Sequence, residues 1–108
     1  MYVRAARFEG IDKANIDRDI EDFRKMVRME EQPEGMSAET FTTLRSGVKR
    51  VMSLVDRDEG TSLDLIFTDT AEDAQRVHEV LDSMSPPDGA GRRTSVQTFE
   101  LLMDEQLG

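Results

Sequence analysis

Apolar and polar residues alternate from Tyr2 to Glu9 (YVRAARFE), a mixed pattern that predicts a first strand closed by Gly10. From about Asp12 to Glu31 the period changes. Ile16, Ile20, Phe23 and Val27 follow one another at spacings of four, three and four, which places them on one helical face. Asp17, Arg18, Asp19, Glu21, Asp22, Arg24, Lys25 and Arg28 fill the remaining surface, and Asp12 or Asn15 caps the start. Pro33 and Gly35 stop this helix. Within Gln32 to Gly47, Ser37-Ala38-Glu39-Thr40 opens a short second segment, although Thr40 stands where a full capping box has an acid or amide. The pattern leaves open whether 32–47 is a lid, a dimer contact or a loop.

Val48 to Asp56 and Thr61 to Thr68 read as a hairpin around Arg57-Asp58-Glu59-Gly60. Such a loop sets Asp56 opposite Thr61, and therefore Leu54 opposite Leu63, Met52 opposite Leu65 and Arg50 opposite Phe67. The other side pairs Val55 with Ser62, Ser53 with Asp64 and Val51 with Ile66. One face is fully apolar near the turn and the other is mixed. A slip of one residue would destroy that segregation, so the register is specified.

Thr70 caps a further helix, with Ala74, Val77, Leu81 and Met84 as its apolar stripe. Ser85 to Gly91, with Pro86, Pro87 and two glycines, is a breaker and loop. Thr94 to Met103 makes the last strand and Asp104 to Gly108 a tail. The order β-α-β-β-α-β predicts an α+β, ferredoxin-like domain: a four-stranded antiparallel sheet with two helices on one face. The opposite face is then bare. The mixed side of the hairpin, Val51, Ser53, Val55 and Ile66, is assigned to it, and a half-apolar bare face implies a homodimer packed sheet to sheet.

Composition narrows the function classes. The 108 residues make one domain, 1–108, with 37% hydrophobic and 34% charged positions and a net charge of −9. That charge repels phosphate backbones and anionic lipid, which argues against nucleic-acid and membrane partners. No apolar run approaches bilayer length, and Met1-Tyr2-Val3-Arg4 enters a strand without a signal-peptide pattern. A cytoplasmic protein is expected. The absence of cysteine excludes disulfides and thiol chemistry.

Three segments together carry a family likeness: Arg7-Phe8-Glu9-Gly10, the hairpin Ser53 to Gly60, and the helix entry Thr68-Asp69-Thr70-Ala71-Glu72-Asp73-Ala74. They resemble the antibiotic-biosynthesis-monooxygenase-like group of dimeric α/β-barrel proteins with a ferredoxin-like fold. The resemblance implies a homodimer and a pocket between helices and sheet. It also implies a choice between cofactor-independent oxygenation of an aromatic or quinol-type substrate and no assigned activity. Phe67 stands where relatives often carry Trp, and the chain lacks the Asn, Trp and His set of the haem-degrading members, its one Asn being Asn15.

Candidate chemistry is sparse. His78, the only histidine, borders the stripe of the helix after Thr70; it is either an acid–base or ligand group facing a pocket, or a boundary side chain bonded to water or backbone. Arg4 and Arg7 lie at an odd spacing and so on opposite strand faces, one of them able to hold an anion. Asp56, Asp58 and Gly60 miss the calcium-loop spacing, with Thr61 where its glycine belongs. Acidic pairs such as Asp17 with Glu21 read as solvated helix surface, and the methionines as core filler. No metal and no cofactor is expected. Tyr2, Arg7, Phe67 and His78 are the candidate pocket residues for a small organic ligand, and His78 is the sole catalytic candidate. The readings are a non-catalytic dimeric binding protein and a cofactor-independent monooxygenase.

Overall fold

The computed structural model describes residues 1–28, 32–85 and 89–108. Four strands, β1 (Tyr2–Glu9), β2 (Arg50–Asp56), β3 (Thr61–Thr68) and β4 (Arg92–Glu100), form one antiparallel sheet in the order β2-β3-β1-β4. Three helices accompany it: α1 (Ile16–Arg28), preceded by a 3₁₀ turn over Lys13–Asn15, α2 (Ala38–Gly47) and α3 (Ala71–Asp82). This α+β topology is compatible with a ferredoxin-like arrangement; α2, the short helical segment opened at Ser37, stands in addition to the two helices that the β-α-β-β-α-β order counts. The expected end of the first helix at Glu31 and the Pro86-Pro87 part of the last loop lie outside the described residues.

The hairpin forms in the register read from the sequence, from Arg50 opposite Phe67 to Asp56 opposite Thr61. Asp56 Oδ1 accepts from the amides of Asp58 and Glu59, both at 3.1 Å, which fixes the turn. Thr70 caps α3 by accepting from the Asp73 amide at 3.1 Å. Ser37 does the same for α2 through the Thr40 amide at 3.1 Å, so the capping acid is dispensable. β4 begins two residues earlier than expected, because a register shift at Arg7/Phe8 lets Arg93 and Arg92 pair with Phe8 and Glu9. It ends three residues earlier, at Glu100 opposite Tyr2, after which Leu101 N donates to Met1 O at 2.8 Å.

The core lies where α2 and α3 pack on the sheet. Leu44, Ile66 and Val77 are its buried centre, with Met36, Val48, Val51, Val80 and Leu81 around them. Val77, 1% exposed, contributes roughly 1.5–3 kcal/mol through burial.

The faces of the hairpin are the reverse of the sequence-based assignment. Val51 and Ile66 pack beneath the helices, and Ser53 and Val55 follow them on the same side by strand alternation. The face turned away from the helices is the one that is apolar near the turn, with Met52, Leu54, Leu63 and Leu65 from the hairpin, Ala5 from β1 and Phe99 from β4. Arg7 and Arg50 share it, Arg50 pairs with Asp104 at 3.3 Å, and Val3 and Phe67 on it are buried. Register settles which residues share a face. Contacts from other elements settle which face the helices take, and here Val77 and Leu44 select Ile66.

Candidate functional site

The two halves of the helix-facing side differ in what covers them. Under α2 and α3 the pair Val51–Ile66 fills the interface. Further along the hairpin the helix-facing pairs are Ser53–Asp64 and Val55–Ser62, and the helix above is α1. Serine side chains are too short to meet Ile16, Ile20, Phe23 and Met26, which form the lower surface of α1. A cavity of about 370 Å³ results, with Phe8 and Ile11 also in its lining. No residue of α1 is fully buried.

The start of α1 is fixed to the hairpin loop rather than to the sheet face. Ile11 N donates to Gly60 O at 3.1 Å, Asp12 N to Gly89 O at 3.0 Å, and Lys13 Nζ to Asp58 O at 2.5 Å. Arg57 donates to Asp17 Oδ1 at 2.6 Å. These links hold the helix over the sheet while leaving the space beneath it open.

Asp64 is the charged group on the floor. Ser53 Oγ donates to its Oδ1 at 2.8 Å. Burial pushes its carboxyl above the ordinary carboxylate range, while the Ser53 hydrogen bond and the Arg4 guanidinium pull the other way. Asp12, Asp17, Asp19 and Asp22 also line the cavity, towards α1. A partly apolar cavity with one perturbed carboxyl on its floor can bind an organic molecule and orient it through polar contacts, and it is also an environment suited to acid–base chemistry.

The residues singled out from the sequence do not gather at this cavity. Tyr2 borders a second, smaller depression of about 230 Å³ with Ala71, Ala74, Gln75, Thr98 and Glu100. Arg7 lies across from Leu63, on the face turned away from the helices, and Phe67 is on that face too but buried, with Arg50 over its ring at 5.4 Å. His78 sits beneath α3, where its Nδ1 accepts from Arg4 Nε at 3.3 Å. Val51, Ser53, Val55 and Ile66, assigned to the dimer face, are on the helix side, and Ser53 and Val55 line the cavity itself.

Asp64 was missed as a site residue. The signal for it was an acid between Leu63 and Leu65 in a strand, facing a serine across the hairpin. Among the described residues no group of three or more His, Cys, Asp or Glu is placed to hold a metal ion, and no helix is long and apolar enough to cross a membrane. The sequence matches no protein-family profile and no curated protein.

Proposed function

We propose that this chain acts in the cytoplasm as a homodimer, a dimeric α/β barrel, that holds a small organic molecule between α1 and the sheet without transforming it. The cavity of about 370 Å³ carries this reading: it falls within the range of small-molecule sites and joins the apolar surface of Ile16, Ile20, Phe23 and Val55 to a set of acidic and serine side chains. The sheet face turned away from the helices supports the dimer, since Met52, Leu54 and Phe99 are exposed on it (37%, 50% and 48%). A two-fold contact covers both copies at once.

Asp64 favours a second reading. A half-buried carboxyl with a raised proton affinity is suited to taking a proton from a bound phenol or quinol, the step that would start cofactor-independent oxygenation. Native mass spectrometry of freshly purified protein tests the first reading. The expected result is a dimer with an additional small mass that is lost in Ser62→Phe, where the new ring fills the cavity from its floor. A clean monomer, or an additional mass unchanged in Ser62→Phe, sinks the binding reading. Oxygen uptake on adding an aromatic quinol, abolished in Asp64→Asn, establishes the second.

A further inference from the structure

We propose that the cavity under α1 takes an organic cation, an amine with an apolar aromatic or alicyclic body, and that Asp64 is its counter-ion. This rests on the binding reading above and names the ligand class for that site.

Asp64 presents a carboxylate in an enclosure that penalises its charge. Burial is the main influence on its proton affinity. Arg4 is the cation whose charge acts on Asp64 across the sheet, but it gives Asp64 no hydrogen bond among the described residues, its Nε being engaged by His78 of α3. Among the described residues the side-chain hydrogen bond to Asp64 comes from Ser53, a neutral donor, on Oδ1. An ammonium group within hydrogen-bond reach of the remaining oxygen offsets the desolvation and makes a charge-assisted contact in a low-dielectric setting.

The lining is acidic on balance. Asp12, Asp17, Asp19 and Asp22 line the cavity alongside α1; Arg57 is bonded to Asp17 at 2.6 Å and Arg18 pairs with Asp19 at 3.5 Å, while Asp12 and Asp22 have no ion pair among the described residues. A concave site bordered by one sign of charge concentrates the opposite sign and speeds its entry. Carboxylates, phosphates and sulfonates are correspondingly disfavoured. The walls select the rest of the ligand: Ile16, Ile20, Phe23 and Val55 offer aliphatic and aromatic surface, and Phe8 and Phe23 provide ring faces that attract a cation.

The test compares one apolar body carrying three charges. Naphthylmethylamine, naphthylmethanol and naphthoate are titrated calorimetrically into the full chain at neutral pH. The amine is expected to bind about tenfold or more tightly than the alcohol, with naphthoate weakest. Added salt weakens the amine and leaves the alcohol nearly unchanged. Asp64→Asn brings the amine down to the affinity of the alcohol, and Ser62→Phe abolishes both, which separates the cavity from the acidic surface of α1. Equal affinity for amine and alcohol, or tightest binding of naphthoate, overturns the cation assignment while the binding reading stands. Binding of none of the three overturns both. The ranking on the unmodified chain decides the matter even if a variant fails to fold.

Discussion

Arg4 on β1 donates from Nε to Nδ1 of His78 on α3 at 3.3 Å, a contact that ties the third helix to the middle of the sheet. Because guanidinium only donates, His78 Nδ1 is the acceptor of this contact. Arg4 is 7% exposed, and among the described residues its Nη2 has no acceptor. Burial lowers its proton affinity, and Arg93 adds to that, while Asp82 and Asp64 oppose it. A partly satisfied buried cation is sensitive to losing one more partner. His78→Phe keeps the volume and removes the acceptor, so it is expected to cost about 1–3 kcal/mol in urea unfolding. His78→Gln, which keeps a carbonyl acceptor, recovers much of that loss. Equal destabilisation in both variants would show that ring packing, not the Arg4 contact, is what His78 supplies.

Asp64 gives stability a pH dependence of defined sign. Its folded-state carboxyl is raised by burial above the ordinary value of 3.8, so the folded chain holds that proton more tightly than the unfolded chain. Below the unfolded value both states are protonated and no penalty arises. As pH rises from there through the folded value, the folded state retains the extra proton and stability falls. Above it the penalty is complete and constant. Asp64→Asn abolishes this contribution and keeps an oxygen that accepts from Ser53. The variant is expected to melt higher than the unmodified chain at neutral pH, and the gap should close on acidification towards the ordinary carboxyl range. A gap that widens on acidification would contradict a raised carboxyl.

Much of the frame was readable because its causes are local. The hairpin register followed from the segregation of Met52, Leu54, Leu63 and Leu65 from Val51, Ser53, Asp64 and Ile66, and a slip would have mixed them. The cap at Thr70 and the stripe through Ala74 and Val77 are likewise short-range. What escaped depends on partners distant in sequence. α2 has a weak pattern and is held by Leu44 against the core and by Gly47, whose Cα lies so close to Val77 that an added Cβ would meet Cγ2 at 2.8 Å. The orientation of the hairpin was decided by Leu44 and Val77, which alternation along a strand cannot report. The cavity is a difference in volume between short side chains on β2 and β3 and the stripe of α1. Its one trace in the sequence was the placing of Ser53, Ser62 and Asp64 on a single face.

Gly91 is required by the approach of two chain segments. It adopts φ of 77°, and a Cβ there would lie 2.2 Å from the Glu9 carbonyl oxygen and 2.9 Å from the Gly10 carbonyl carbon. Backbone atoms at a strand end cannot step aside without releasing the pairing of Glu9 with Arg92. Gly91→Ala is therefore expected to cost about 3 kcal/mol or more, from left-handed strain and the clash together. Gly10 offers the comparison. Its φ of 67° is similar, but nothing lies within 4 Å of an added Cβ. Gly10→Ala should lose only about 1–2 kcal/mol, the strain alone. Equal midpoints for the two variants in urea would mean that the contact with Glu9 does not constrain the fold.

Adjacent residues of β2 separate the two proposed surfaces. Leu54 points to the face turned away from the helices and is 50% exposed; Val55 points the other way, into the cavity, and is 41% exposed. A charge buried at the centre of a sheet-to-sheet contact has no partner, and its two-fold copy faces it with the same sign. Leu54→Glu is expected to weaken the dimer about 10²-fold or more, read as a shift to monomer in sedimentation velocity, with binding in the cavity retained. Val55→Glu should do the opposite, leaving the dimer intact and impairing ligand uptake by placing a carboxylate among the apolar walls. Both variants place the same residue at adjacent positions of one strand, so opposite outcomes report the face rather than the strand. If Val55→Glu dissociates the protein while Leu54→Glu does not, copies of the chain meet through the helix side, and the apolar face of Met52, Leu54, Leu65 and Phe99 belongs to a different partner.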